Sequence, residues 1–246
     1  MIVNKSIKGL HIIFHQAHGL LAGKIANEIK EEFRPPHWFE TLIAVCEHDD
    51  RQLNFKEKDY LSEIGVPLDF TEDKSTVKEV LERMEKIISS ANNKSRWIRL
   101  LISYHLEFIY SDYKNSSKQI AQFFENEEIE RKIILKVYKF SDVKARAYYE
   151  FLRFCDRLSL ILCNDEAPDC ERLLEINTSI KEETYFIKKS EDDTLVISPW
   201  IFTSAKFELS VEERILKQTQ FSSAKEFESI LMATPPSLKK WKLGKL

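Results

Sequence analysis

Residues 141–163, SDVKARAYYEFLRFCDRLSLILC, constrain the fold more than any other segment of the chain. The pattern predicts one long helix whose later turns are apolar nearly all round. Such a helix has to be enclosed by other elements, so it is expected at the centre. It also carries Asp156, between Phe154 and Leu158. A buried carboxylate is costly unless it has a partner. Two kinds of partner are open: a divalent cation, or the neighbouring Arg153 or Arg157.

Other helical patterns surround this one. Glycine is scarce, five in 246 residues. From Gln16, the residues Leu20, Leu21, Ile25, Ile29 and Phe33 recur at helical spacing. Pro35-Pro36 ends that helix and can start the next, over about 37–51. Residues 52–73, with Gly65 and Pro67, read as an irregular connection. Thr76 and Glu79 form a capping box that opens a helix to about Ser90. Residues 96–110 repeat the helical pattern, and the charged stretch 116–140 holds one or two solvent-facing helices.

Strands are expected at both ends. MIVNKSIKGLHIIF reads as two short strands around a Lys8-Gly9 turn, and ETYFIKKSEDDTLVISPWIF alternates like a hairpin around Glu191-Asp192-Asp193. KFELSV reads as a further strand, and a last helix near 223–233 precedes a tail at Pro235-Pro236. The expected fold is mainly α, a single domain over 1–246. Its helical body covers about 15–165. A small antiparallel β-sheet is formed by terminal strands at about 1–14 and 183–211.

Composition excludes several classes of function. With 37 basic and 40 acidic residues the net charge is −3, which gives no general drive toward nucleic acid or an anionic membrane. No run approaches the roughly 20 apolar residues of a membrane span, and the N-terminus does not resemble a signal peptide. The four cysteines contain no CxxC pair, which argues against a zinc knuckle. Cys155 and Cys163 share the central helix about 12 Å apart, too far for a disulfide. A reducing, cytoplasmic setting is expected. Nothing in the residues indicates an oligomeric state.

The stretch AVCEHDDRQLNF, residues 44–55, ends an apolar run in His48-Asp49-Asp50. His18 and His105 stand in apolar helices as well. Taken singly, His105 reads as a satisfied core residue and His48-Asp49 as a weak motif, while His11 and His37 are assigned no role. Adjacent residues on a helix diverge by about 100°, so Asp50 reads as an assisting or solvent-facing group.

Taken together, these residues are less easily dismissed. His18, then His48-Asp49, then Asp156 in an Asp-Arg-Leu-Ser helix resemble the HD-domain superfamily of metal-dependent phosphohydrolases. The motifs HQAHGLLAGKIA, CEHDDRQLNF, IGVPLDF, SYHLEFIY, CDRLSLILC and SPWIF are similar to one uncharacterised bacterial family, the domain of unknown function numbered thirty-eight ninety-one. The resemblance implies an HD-like helical bundle. It also implies that His18, His48, Asp49 and Asp156 bind a divalent transition metal: Mn, Fe, Zn, Co or Ni. His105 matches a place where many members carry a further histidine. Two departures stand out: Arg51-Gln52 replaces the Gly-Trp that commonly follows His-Asp-Asp, and Ala17 replaces an aspartate that commonly precedes the first ligand.

The chemistry implied is hydrolysis of a small phosphorylated substrate by metal-activated water. Asp50 and His105 are the candidates to accept or relay the proton. Arg51, Arg153 and Arg157 are the candidates to neutralise the phosphate. Two alternatives stay open: an HD-type iron oxygenase, which needs about two more histidines before the final aspartate, and a non-catalytic metal-binding module.

Overall fold

The computed structural model describes residues 1–52, 54–72, 75–114, 116–178 and 180–245. The helices are α1 (His15–Glu28), α2 (Trp38–Glu47), α3 (Val77–Lys94), α4 (Arg96–Ile109), α5 (Lys118–Tyr138), α6 (Asp142–Cys163) and α7 (Ala224–Ala233). The strands are β1 (Ile2–Ser6), β2 (Gly9–Ile13), β3 (Leu174–Thr178), β4 (Thr184–Lys189), β5 (Leu195–Ser198), β6 (Lys206–Leu216) and β7 (Ser237–Gly244).

Helix α6 is central, as its pattern demands. It packs against α1, α2, α4, α5 and β3. From Phe151 to Cys163 only Arg153, Arg157 and Leu160 escape full burial. Residues such as Phe151, Leu152, Phe154 and Leu158 are at most 1% exposed, and full burial of side chains of this size contributes about 1.5–3 kcal/mol each. The capping box of α3 forms as expected, with the Thr76 hydroxyl and the Glu79 carboxylate each accepting from the other residue's backbone N–H. Of the irregular connection expected over 52–73, Leu53 and Asp73 lie outside the described residues. The remainder makes only an isolated bridge, Leu61 with Pro67.

The expectation of a mainly α bundle with a small antiparallel sheet is corrected. About 49% of the chain is helix and 20% is strand. Among the described residues one seven-stranded sheet runs in the order β1-β2-β6-β7-β5-β4-β3. The sheet is mixed, because β5 and β7 pair in parallel while the other neighbours are antiparallel. The strands therefore extend beyond 183–211: β3 begins at Leu174, β6 continues to Leu216, and the expected tail is β7. Strand β7 pairs with β6 from Ser237↔Glu213 to Gly244↔Lys206. The reason is physical. SLKKWKLG carries three lysines and two leucines, so its burial alternates weakly, and its long-range partner cannot be read from local pattern.

Strand alternation gives the terminal hairpin two buried faces. Ile13 joins the main core, whereas Leu10 and Ile12 join a second apolar cluster with Tyr60, Leu216, Phe221, Phe227 and Leu231.

Glycine matters most where α1 crosses α2. A Cβ at Gly19 would lie 2.5 Å from the Cys46 carbonyl oxygen. The close approach brings His18 beside His48, with ring centroids 4.9 Å apart. Gly19→Ala must push the two helices apart. Overpacking of this kind costs about 1–3 kcal/mol. We expect that loss in urea unfolding, with His18 and His48 moved apart.

Candidate metal centre

Three segments deliver the polar cluster. Helix α1 supplies His15 and His18, the C-terminus of α2 supplies His48 and Asp49, and α6 supplies Asp156. Helix α2 ends at Glu47 and His48 is its C-cap, so the helix expected to about residue 51 is shorter. Asp49 lies past the last turn, and its carboxylate is not bound by the 100° divergence of adjacent helical residues. The end of α2 also carries the negative pole of the helix dipole, which favours a cation.

The four ligand candidates converge. His18 Nε2 is 3.1 Å from Asp49 Oδ2 and 3.9 Å from Asp156 Oδ1. His48 Nε2 is 3.0 Å from Asp156 Oδ1. Among the described residues two groups have the spacing to hold an ion: His18, His48 and Asp49, and His48, His105 and Asp156.

The outer nitrogens of both central histidines are committed. His48 Nδ1–H donates to the Val45 carbonyl at 2.7 Å. The Ser159 hydroxyl donates to the Asp156 carbonyl at 2.8 Å. It therefore accepts from His18 Nδ1–H, also at 2.8 Å. When it carries no proton, Nε2 of each ring presents its lone pair to a carboxylate oxygen, Asp49 for His18 and Asp156 for His48. Two acceptors facing each other need a cation between them, either a proton or a metal ion. Fixing the far nitrogen in this way is how proteins orient metal-binding imidazoles. The two groups share His48, and with its Nδ1 committed to Val45 that ring can serve one ion through Nε2.

Electrostatics follow from the same contacts. Burial opposes charge on His48, but Asp156 outweighs it and lifts the pKa to about 9. Burial would raise the Asp156 carboxyl, yet His48 brings it below its usual value. Burial would likewise raise Asp49, but the Arg83 guanidinium and the hydrogen bonds of His15 and His18 hold it well below the carboxylate range. Burial pushes His15 down to about 4, against the pull of Asp49. Burial and the neighbouring His48 push His105 to about 4.

Beside the cluster lies a cavity of about 300 Å³, whose walls include His15, Asp49, Gln52, Lys58, Arg83, His105, Tyr110 and Asp156. His105 is thus where the sequence reading places it, on the site, with Nδ1 3.3 Å from the Tyr149 hydroxyl. The other expected helpers are elsewhere. Asp50 is half-buried and is not among the described lining residues. Arg51 donates to the Ser90 hydroxyl in a separate surface groove. Arg153 pairs with Glu150 and lies over the Phe108 ring, and Arg157 pairs with Glu166. Both are on the outward stripe of α6, one turn apart, so neither reaches Asp156.

The arginine that does reach the site is Arg83 of α3. It donates from Nη2 to Asp49 Oδ1 and from Nη1 to the Tyr110 hydroxyl, each at 2.5 Å. Sequence reasoning missed it. VLERMEK is an ordinary amphipathic pattern, and nothing local separates Arg83 from the other charged residues of α3. His15 carried a signal, since it lies one turn before His18.

These features define a mixed α/β protein whose helices gather histidines and carboxylates with the spacing of a cation site. Residues 1–218 match the family described as "Protein of unknown function (DUF3891)", and the chain belongs to that family. No curated protein and no solved structure matches it. Every residue of the cluster falls within the matched segment. Among the described residues, no helix is long and apolar enough to cross a membrane.

Proposed function

We propose that this chain is a metal-dependent phosphohydrolase whose ligand set is of the HD-domain type. The observation that carries the reading is the convergence of His18 Nε2, His48 Nε2, Asp49 and Asp156, with both Nδ1 atoms tied off. These residues fit a divalent ion: two imidazole nitrogens and two carboxylates suit Mn, Fe, Zn, Co or Ni. Such an ion supplies Lewis acidity and lowers the pKa of water at neutral pH.

The chain's own residues do the rest. Ser159 and the Val45 carbonyl hold the two rings in one orientation. Arg83 fixes the Asp49 carboxylate through Oδ1 and leaves Oδ2 facing His18. Lys58 and Arg83 stand on the cavity wall, facing Glu79 and Asp49 respectively, and with the ion's charge added they supply donors for a phosphate. His105 remains the candidate for handling a proton at the site. Hydrolysis adds water across the ester P–O bond, so the alcohol leaves with one proton and the phosphate keeps the oxygen. The oxygenase alternative needs a second ion, and His48 has one free nitrogen to offer.

The test is metal analysis of the purified chain, then a panel of phosphomonoesters and diesters with each metal added. About one ion per chain and metal-dependent turnover are expected. Metal binding with no turnover of any ester would move the reading to a non-catalytic module.

Proton release provides a separate check. In the metal-free protein His48 holds a proton below about pH 9, and binding at Nε2 must displace it. Metal affinity is therefore expected to rise with pH by about tenfold per unit through pH 6–8 and to level off above pH 9. Calorimetry in buffers of different ionisation enthalpy would count the proton. An affinity independent of pH across that window would show that binding displaces no proton from His48.

A further inference from the structure

The cavity beside the cluster is not isolated. A second cavity of about 420 Å³ adjoins it, and Met1, His15, Gln52 and Tyr60 line both. The chemistry changes across that shared wall. The first cavity presents His105, Asp49, Asp156, Arg83, Lys58 and Glu79 beside an apolar flank that includes Phe70, Val80 and Ile109. The second presents Phe14, Phe55, Tyr60 and Met232.

The apolar side is anchored. The Phe55 ring meets Tyr60 and Phe227 edge-on, at 5.3 and 5.8 Å between centroids. Phe227 and Tyr60 are buried in the second apolar cluster, so this surface is backed by packed core. Among the described residues lining it beyond the shared wall, Lys56 and Glu228 supply one charge of each sign, which gives no preference for a charged occupant. A closed apolar cavity of about 150 Å³ holds a benzene ring, so 420 Å³ admits one ring with substituents. Glu228 and Met232 come from α7, beyond the residues matched by the family model, whereas the histidine–aspartate cluster lies within them.

We propose that the two cavities take one substrate between them: a phosphomonoester whose anionic head sits at the cluster beside Arg83 and Lys58, and whose uncharged aromatic alcohol lies against Phe14, Phe55 and Tyr60. The head-group half rests on the phosphohydrolase reading; the tail half does not.

Phenylphosphonate and methylphosphonate separate the two halves, because neither contains an ester bond to hydrolyse. Each is titrated calorimetrically into the metal-loaded full chain. Wild type is expected to bind the phenyl compound at least about tenfold more tightly, as apolar burial of a ring requires. Phe55→Ala should cut that preference below about threefold while methylphosphonate affinity stays the same. Met232 is 60% exposed, so Met232→Asp tests the same wall without threatening the core, and it should reduce the preference in the same direction. Equal binding of the two compounds by wild type, or an unchanged preference in both variants, overturns the two-compartment site and leaves the metal reading standing. A phenyl preference without hydrolysis of any ester in the panel supports the compartments and overturns the phosphohydrolase reading. Failure of both phosphonates to bind overturns both.

Discussion

Asp156→Ala is expected to bind no divalent metal under conditions where wild type is saturated. Asp156 faces both His48 and His18, so its loss removes one donor and the group that opposes the two Nε2 atoms. The effect should far exceed the roughly 10–100-fold seen when only a supporting group is lost. His37→Ala is the control, since His37 packs against Trp97 and Tyr138 and makes no contact with the cluster. Metal content measured on both variants decides the matter. If Asp156→Ala retains wild-type metal, Asp156 is only the counter-charge of a protonated His48.

Arg83→Met should be the most destabilising substitution at the site. It leaves the Asp49 carboxylate buried without its guanidinium. Breaking one side of a buried ion pair costs about 3–5 kcal/mol, a large fraction of the 5–15 kcal/mol that typically holds a domain together. The loss is expected in full for the metal-free protein and should shrink when metal saturates the site, because an ion held by the cluster would supply positive charge beside Asp49. Urea unfolding with chelator and with excess metal gives the two values. An equal loss in both conditions would mean that Arg83 acts through Tyr110 and the packing of α3, with no coupling to the cluster.

The cluster was far more legible than the sheet, for a physical reason. Polar groups in apolar helices are costly without a partner, so His18, His48 and Asp156 announce themselves one at a time. Their convergence follows once α6 is recognised as central. Strand β3 is only five residues long and β7 is lysine-rich and largely exposed, and their stability comes from neighbours that a local window does not contain. Asp50, Arg51, Arg153 and Arg157 were drawn to the site by closeness in sequence. The arginine that touches the cluster is Arg83, which is 34 residues from Asp49 in sequence and 2.5 Å away in space.

The position of β7 bears on how the chain comes together during synthesis. It lies between β6 and β5, yet it follows every other strand in sequence. A nascent chain can form β1-β2-β6 and β5-β4-β3 early, each as a separate antiparallel ribbon. Until residues 237–244 leave the ribosome, both ribbons expose a raw inner edge toward the gap. Exposed edges recruit other strands, so this interval is when a crowded translation site is most hazardous to the protein. A nonsense mutation anywhere between β6 and β7 would make that interval permanent, leaving the histidine–aspartate cluster encoded in full on a chain prone to aggregate.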